Sequence, residues 1–407
     1  MQRIIIDSQS NGLLRGSALE QRYDQRGGLC QVGAGHLVLT TDPVDQDFLD
    51  YWRGLGFSLP RLVSAGPFHP GRTLSELVLA SPRAREAIGE TAAAGPARLE
   101  FFCIEEPERA LAQALGVPAY CHFGLARTYA SKLAFKALCA ELGLPTAPWF
   151  HHPDPAALVR QGAALMAGGR RVLLKTETGM GGVGCGGMAA PADVHALERA
   201  VRSLAGRHGA LFLETRLEPL RAELSVHWEI TASGEVVDVC VFDSINIDNS
   251  YRGTLHPAEN DRALAEAARR TVLEVLGPHF AARGGLGFYC CDILADQDGT
   301  LHWNDFNPRK GASVYVRDMV RRLRAARLDD RPVHYWHEGL RLRRALPVGR
   351  VLELLRGLLD PGPESFLVLS NPGITAFARA DLTAISCASR AQARSLLDTA
   401  RVRLGAA

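Results

Sequence analysis

Residues 287–307 carry two β-type runs joined by an acidic Asp-Gly turn, and this hairpin constrains the chain more than any other segment. Gly287-Phe288-Tyr289-Cys290-Cys291-Asp292-Ile293-Leu294 and Thr300-Leu301-His302-Trp303-Asn304-Asp305-Phe306 flank Asp296-Gln297-Asp298-Gly299. Asp-Gly between apolar runs is a strong hairpin signal. Asp305 and Asn307 lie two positions apart and so project to one face, where Asp292, near the end of the partner run, can meet them. Magnesium suits such a set: it takes hard oxygen donors, few of them from protein, and fills its other positions with water and phosphate oxygens. If the strand continues through Pro308, Arg309 reaches the same side, where it can stabilise charge on a transferred phosphoryl group or an acyl phosphate. A solvated acidic turn has the same local signature, so partners elsewhere in the chain decide between the two.

Lysine usage points to those partners. Of 46 basic residues only four are lysine, at positions 132, 136, 175 and 310. A compact ammonium and a planar guanidinium are not interchangeable, so lysines kept against such a bias suggest a need for point charges, as at phosphate oxygens. For Lys136 chance retention is an equal reading; for Lys132, Lys175 and Lys310 the surrounding motifs favour a role. Lys175 ends a short β run, Val172-Leu173-Leu174, and a glycine-rich stretch from Gly179 through Met180, Gly181, Gly182 and Val183 to Gly184 follows. Glycines allow successive backbone N–H groups to approach phosphates. No Gly-Lys-Ser/Thr follows, which excludes a Walker A loop.

Composition narrows the class. Hydrophobic residues at 47%, charged residues at 22% and a net charge of +2 describe a folded soluble chain with no dense basic run, so nucleic acid is not an expected partner. No window approaches the roughly 18 apolar residues of a membrane span. Nine cysteines without CxxC pairs, and an N-terminus without a signal-peptide pattern, imply reduced thiols and a cytoplasmic location. Adjacent Cys290 and Cys291 read as strand residues facing opposite sides, and His151, His152 and His227 lack partners at metal-ligand spacing. Gly33-Ala34-Gly35 precedes a strand instead of following one, which discards a dinucleotide fingerprint.

Alternating strand and helix patterns in residues 1–125 suggest a layered α/β unit. An alanine-rich helix is expected over 126–144, with Ser131-Lys132 in its early turns. Strands are expected at 211–214 and 223–228, the latter paired with 236–242, and a helix over 259–276. An arginine-rich linker near 321–347 precedes a small α+β piece. The polar segment 243–252 falls after a central strand, where a substrate-facing loop can sit.

In order, a helix lysine, a strand-lysine-glycine loop, a strand ending in glutamate, Glu223-Leu224-Ser225-Val226, Asp292, and Asp305-Phe306-Asn307-Pro308-Arg309 resemble the ATP-grasp ligases over roughly residues 126–320. The resemblance implies that ATP lies between two α+β subdomains and activates a carboxylate as an acyl phosphate for attack by an amine. It implies phosphate contacts from Lys132 and Lys175 and a mobile loop at 179–184. Glu214 and Leu217 would lie beside adenine, and Glu223 on the ribose, with Glu218 or Glu229 as replacements because the interval from Glu214 is long. Asp292, Asp305 and Asn307 would hold Mg2+, and Lys175 and Arg309 would stabilise the transferring charge. Asp292 departs from the glutamate that many members carry there.

Asp42-Pro43, Phe48-Leu49-Asp50-Tyr51-Trp52 and the C-terminal α+β piece further resemble the pheganomycin-type peptide ligases. The expected architecture is then a pre-ATP-grasp α/β domain (1–125), an ATP-grasp core (126–335, with a lid about 146–210) and a small α+β domain (336–407). Expected substrates are an amino acid or peptide carboxylate and an amine, the latter free or on a carrier protein, and a homodimer is compatible. Arg252, Lys310 and Ser313, with Tyr315 and Arg317, are candidate substrate contacts. Rival readings are an ATP-grasp enzyme with a non-amine acceptor and a nucleotide-binding protein without catalysis.

Overall fold

Among the described residues, sixteen strands form three sheets. The computed structural model describes all residues except 13, 180–187, 207–208, 248–249, 329–330, 361, 363 and 407. The first sheet is parallel, in the order β3-β2-β1-β4, and comprises β1 (Gln2–Ile6), β2 (Leu37–Thr40), β3 (Arg61–Ser64) and β4 (Ala97–Phe101). Its strands are nearly continuous apolar runs because helices cover both faces. Ile4, Ile6, Leu37, Leu39 and Leu99 are buried in its core. Helix Tyr23–Gln31 packs so close that a Cβ on Gly28 would fall 2.1 Å from a Val38 methyl, so only glycine fits there.

Four strands form a small second sheet in the order β5-β8-β6-β7: β5 (Trp149–His151), β6 (Val172–Thr176), β7 (Met188–Ala189) and β8 (Leu211–Thr215). Helices Pro155–Ala167 and Val194–Leu204 cover it, and Leu158, Leu174, Leu197 and Leu213 fill the layer between. This unit occupies the stretch expected to form a lid.

The third sheet is the largest, and its eight strands run β13-β12-β9-β10-β11-β14-β16-β15. They are β9 (Ala222–Ile230), β10 (Val236–Ile247), β11 (Ser250–His256), β12 (Gly287–Ala295), β13 (Leu301–Asn307), β14 (His334–Arg341), β15 (Ser365–Leu369) and β16 (Arg379–Ser386). The expected hairpin is β12 and β13, and the expected pairing of β9 with β10 is also present. The boundary expected near residue 336 falls inside β14, which pairs with β11 on one side and β16 on the other. The C-terminal strands thus extend the core sheet. The stretch 321–347 is not a linker: helix Ala312–Leu323 ends in it and β14 lies within it.

The helix expected over 126–144 is broken. Phe123–Tyr129 and Lys132–Glu141 are separate helices, because Ser131 caps the second by accepting the Ala134 N–H. The two ends of the chain meet in one core, where Trp52 stacks on Phe57 at 4.3 Å and its indole N–H donates to the Leu369 carbonyl on β15 at 3.1 Å. No described helix is long and apolar enough to cross a membrane.

Candidate active site

A cleft of about 690 Å³ opens between the four-stranded sheet of β5 to β8, the large sheet and the N-terminal unit. At its centre lies the β12–β13 ladder. Asp292 pairs with Asp305 and Cys290 with Asn307 across the two strands, while the register slips between Asp292 and Ile293, which pairs with Trp303. Asn304 is the extra residue of that slip. A bulge re-aims side chains, and here Asn304 and Asp305 both reach the cleft although consecutive strand residues normally face apart. The Asn304 Oδ1 accepts from Lys175 Nζ at 3.3 Å.

Three lysines meet these acids. Lys175, on β6, ion-pairs with Glu214 at 2.6 Å and lies 3.9 Å from Asp305. Lys132, in the first turn of its helix, reaches Asp305 at 3.2 Å and donates to the Gly179 carbonyl at 3.4 Å. Lys136, one turn on, is 1% exposed and holds the second Glu214 oxygen at 2.6 Å. The even odds given to chance for Lys136 are thus resolved by burial: an ammonium without water needs a carboxylate. Burial alone would raise the Glu214 carboxyl, but Lys175 and Lys136 outweigh it and hold it below the usual range. Asp305 behaves alike: burial opposes its ionisation, and Lys132, Lys175 and Lys136 prevail. Asp292 is pushed up to about 6, first by burial and then by Asp305 beside it.

The ladder also holds Arg309, which donates to Asn307 Oδ1 at 2.9 Å and to the Lys310 carbonyl at 2.8 Å and lies over the Phe102 ring at 4.7 Å. Gly311 then passes so close to His227 that a Cβ would fall 2.3 Å from the ring. His227 is buried and lines the cleft, and burial lowers its pKa to about 3, so it is neutral. Cys290 faces the cleft and Cys291 the core, as expected of strand neighbours.

Lys132, Lys175, Gly179, Glu214, Leu217, Glu223, Asp292, Asp305, Asn307, Arg309, Arg252 and Ser313 all line the cleft. Met180, Gly181, Gly182, Val183 and Gly184 lie outside the described residues. Glu223 accepts from Asn246, and Glu218 also lines the cleft. Glu229 does not, because it accepts from Tyr120 on the opposite side. Glu214 reaches the cleft with its carboxylate committed to the two lysines.

Three expected substrate contacts, Lys310, Arg317 and Tyr315, are corrected. Lys310 is 0% exposed and points away from the cleft into the N-terminal unit, 3.1 Å from Glu100 and 3.8 Å from Asp7. It follows the end of β13 at Asn307, where the chain turns with the Arg309 N–H donating to the Asn307 carbonyl at 2.8 Å. Arg317 lies on the far side of its helix, paired with Asp318 at 2.8 Å, and Tyr315 is core. Asp243 is likewise structural, accepting from the Glu259 and Asn260 amides and from Arg390 at 2.8 Å. The sequence reading missed Asn304 and the apolar wall of Leu173, Met188, Leu220 and Leu294. Only the bulge and the packing of the second sheet select these residues, and neither leaves a local signal.

A family model described as Pre ATP-grasp domain matches residues 28–117. No curated protein matches the chain in sequence. Solved structures match over nearly its whole length. Biotin carboxylase from Campylobacter jejuni, in an ATP-type complex, has a TM-score of 0.62 at 15% identity, covering 100% of this chain and 92% of that one. N5-carboxyaminoimidazole synthase from Aspergillus clavatus, with ADP and an aminoimidazole ribonucleotide, has 0.60 at 15%, covering 98% and 99%. The corresponding synthetase from Thermus thermophilus has 0.58 at 18%, covering 100% and 98%. Likeness at such identities establishes architecture. The chain has the ATP-grasp fold of these proteins, and its residues 28–117 match the Pre ATP-grasp domain model.

Proposed function

We propose that the protein is an ADP-forming carbon–nitrogen ligase, in which Mg-ATP activates a carboxylate as an acyl phosphate and an amine displaces the phosphate to form an amide. The observation that carries this reading is the convergence on one cleft of two facing carboxylates, two amides, two lysines and an arginine next to an apolar slot. The solved structures of the same fold that bind ATP or ADP support it.

The donor set fits a hard divalent cation. Asp292 and Asp305 oppose each other across the two strands, and the upward push on Asp292, due first to burial and then to Asp305, is one that a bound cation would relieve. Magnesium takes one or two carboxylates and leaves its other positions to phosphate and water, and this pair supplies two. Asp292 and Asp305 would hold it, with Asn304 or Asn307 beside them. Bound there, Mg-ATP supplies the phosphoryl group and the charge neutralisation at its oxygens.

The protein's own residues do the rest. Lys132 and Lys175 present ammonium groups at the phosphate end, and Glu214 and Lys136 keep Lys175 extended toward the cleft. Leu173, Met188, Leu217, Leu220 and Leu294 line an apolar stretch of the cleft that would take the base, with Glu223 and Glu218 also lining it. Arg309, fixed by Asn307 and Phe102, stabilises negative charge on the transferring group. Lid closure would keep an acyl phosphate from water. Amino acids or peptides are the substrates we favour, in natural-product assembly in the cytoplasm, with an amine that is free or carried on a partner protein; a homodimer is compatible.

Incubation with Mg-ATP and a matrix of carboxylates and amines is expected to release ADP only when both partners are present. ADP release with an alcohol or thiol in place of the amine would move the reading to another acceptor. Tight ATP binding with no ADP from any pair would leave a nucleotide-binding protein without catalysis.

A further inference from the structure

The cleft continues past Arg309 into a stretch that the nucleotide end does not use. Its floor is one face of the large sheet. Gly253 on β11 pairs with Glu338 on β14, which places Arg252 level with Gly339, and Gly339 in turn pairs with Asp381 on β16. Two residues along the same face, Arg341 stands directly opposite Arg379. Like charges at such positions repel. Among the described residues, Arg252, Arg341 and Arg379 have no hydrogen-bond or ion-pair partner. Burial, then Arg341 and also Arg252, hold Arg379 below the usual arginine range.

Glu20, which also lines the cleft, and Asp381 offset part of this positive charge from a distance, and neither forms an ion pair with Arg379 among the described residues. From helix Tyr23–Gln31, Arg26 donates to Asp381 at 3.1 Å and stacks between Tyr23 and Tyr315 at 4.5 and 5.1 Å. Asp381 is therefore already satisfied. Gly339 contributes no side chain, and a Cβ there would lie 3.2 Å from Asp381 Oδ1, so the lane between Arg252 and Arg379 stays open. Both arginines line the cleft. Guanidinium groups gathered on one face of a cleft attract an anion and pair with a carboxylate through charge-assisted hydrogen bonds.

We propose that Arg252 and Arg379 bind the free carboxylate of the amine substrate, so that the acceptor is an amino acid or a peptide with an unblocked C-terminus. The inference rests on the amide-forming reading above. The carboxylate that becomes an acyl phosphate must reach Lys132 and Arg309 at the cleft's centre, so an anion held at the far end belongs to the other substrate. Anchored by its carboxylate, that substrate presents its amine back along the cleft. A guanidinium pairs with a carboxylate at two points, which orients as well as binds.

The test compares an active amine substrate as free acid, as C-terminal amide and as phosphonate. The amide is expected to raise KM about 10- to 100-fold, the loss of a charge-assisted pair. Arg379→Ala or Arg252→Ala should raise KM for the free acid by a similar factor while leaving KM for the amide where it is, and Arg379→Lys should recover part of the loss. Equal KM values for acid and amide, or variants with an unchanged KM for the acid, would overturn the proposal, and so would a phosphonate preferred over the acid. If no pair releases ADP, the amide-forming reading fails by itself. The subsite is then tested by titrating amino acids and glycylglycine into the protein with Mg-ATP. Binding of the acid that the amide lacks and Arg379→Ala weakens supports it, and no binding overturns it.

Discussion

Asp305→Asn is expected to lower ADP formation by about 10³-fold, at the upper end of what loss of one preorganised charge costs at a reacting centre, while leaving the unfolding midpoint near that of the parent chain. The side chain stands opposite Asp292 on the hairpin and contacts Lys132 at 3.2 Å and Lys175 at 3.9 Å. Asparagine keeps its shape and the bulge. It removes the charge that a divalent cation and both lysines share. Lys175 retains Glu214 and Asn304, so the fold has little to lose. Turnover within tenfold of the parent chain would remove Asp305 from the proposed metal site.

Lys310→Met is expected to destabilise the protein by roughly 3 kcal/mol, read as a lower midpoint in urea, because a buried charge stripped of its partner is costly. Lys310 lies between Glu100 and Asp7 with no exposure. Glu100 keeps Arg3 and Arg98 at 2.7 and 2.8 Å, which places the loss at the lower end of the usual range. Among the described residues Asp7 keeps no cation in direct contact, and burial already raises its carboxyl. An unchanged midpoint would contradict this account of Lys310 as a tie between the N-terminal unit and the site.

These two residues mark what was legible in the sequence. Asp305 was, because its partners are local: the Asp-Gly turn sets the register that brings Asp292 alongside it, and alternation carries Asn307 to the same face. Lysine scarcity pointed to Lys132 and Lys175 for the same reason, since each sits in a recognisable turn or strand end. Lys310 is equally rare and adjacent to the motif, yet its partners lie more than 200 residues earlier in the chain. No local pattern states which side of the strand faces them. Lys136 was undecidable for a like reason, its carboxylate being on β8 in another sheet.

The far end of the cleft was the least legible. Arg252, Arg379 and Asp381 come from separate strands, and the sequence offers no way to see that β14, β15 and β16 continue the core sheet instead of forming their own. Their polar face becomes a floor only once helix Tyr23–Gln31 lies over it. The fold class itself was readable, because strand and helix periodicities alternate in the N-terminal unit and hairpins follow.

The acyl phosphate is the centre of this account, and oxygen transfer tests it most directly. The carboxylate substrate that elicits ADP release, labelled with oxygen-18 in both carboxyl oxygens, is expected to give one labelled atom to the released phosphate and keep the other in the amide. Unlabelled phosphate from a turnover that forms the amide would contradict it.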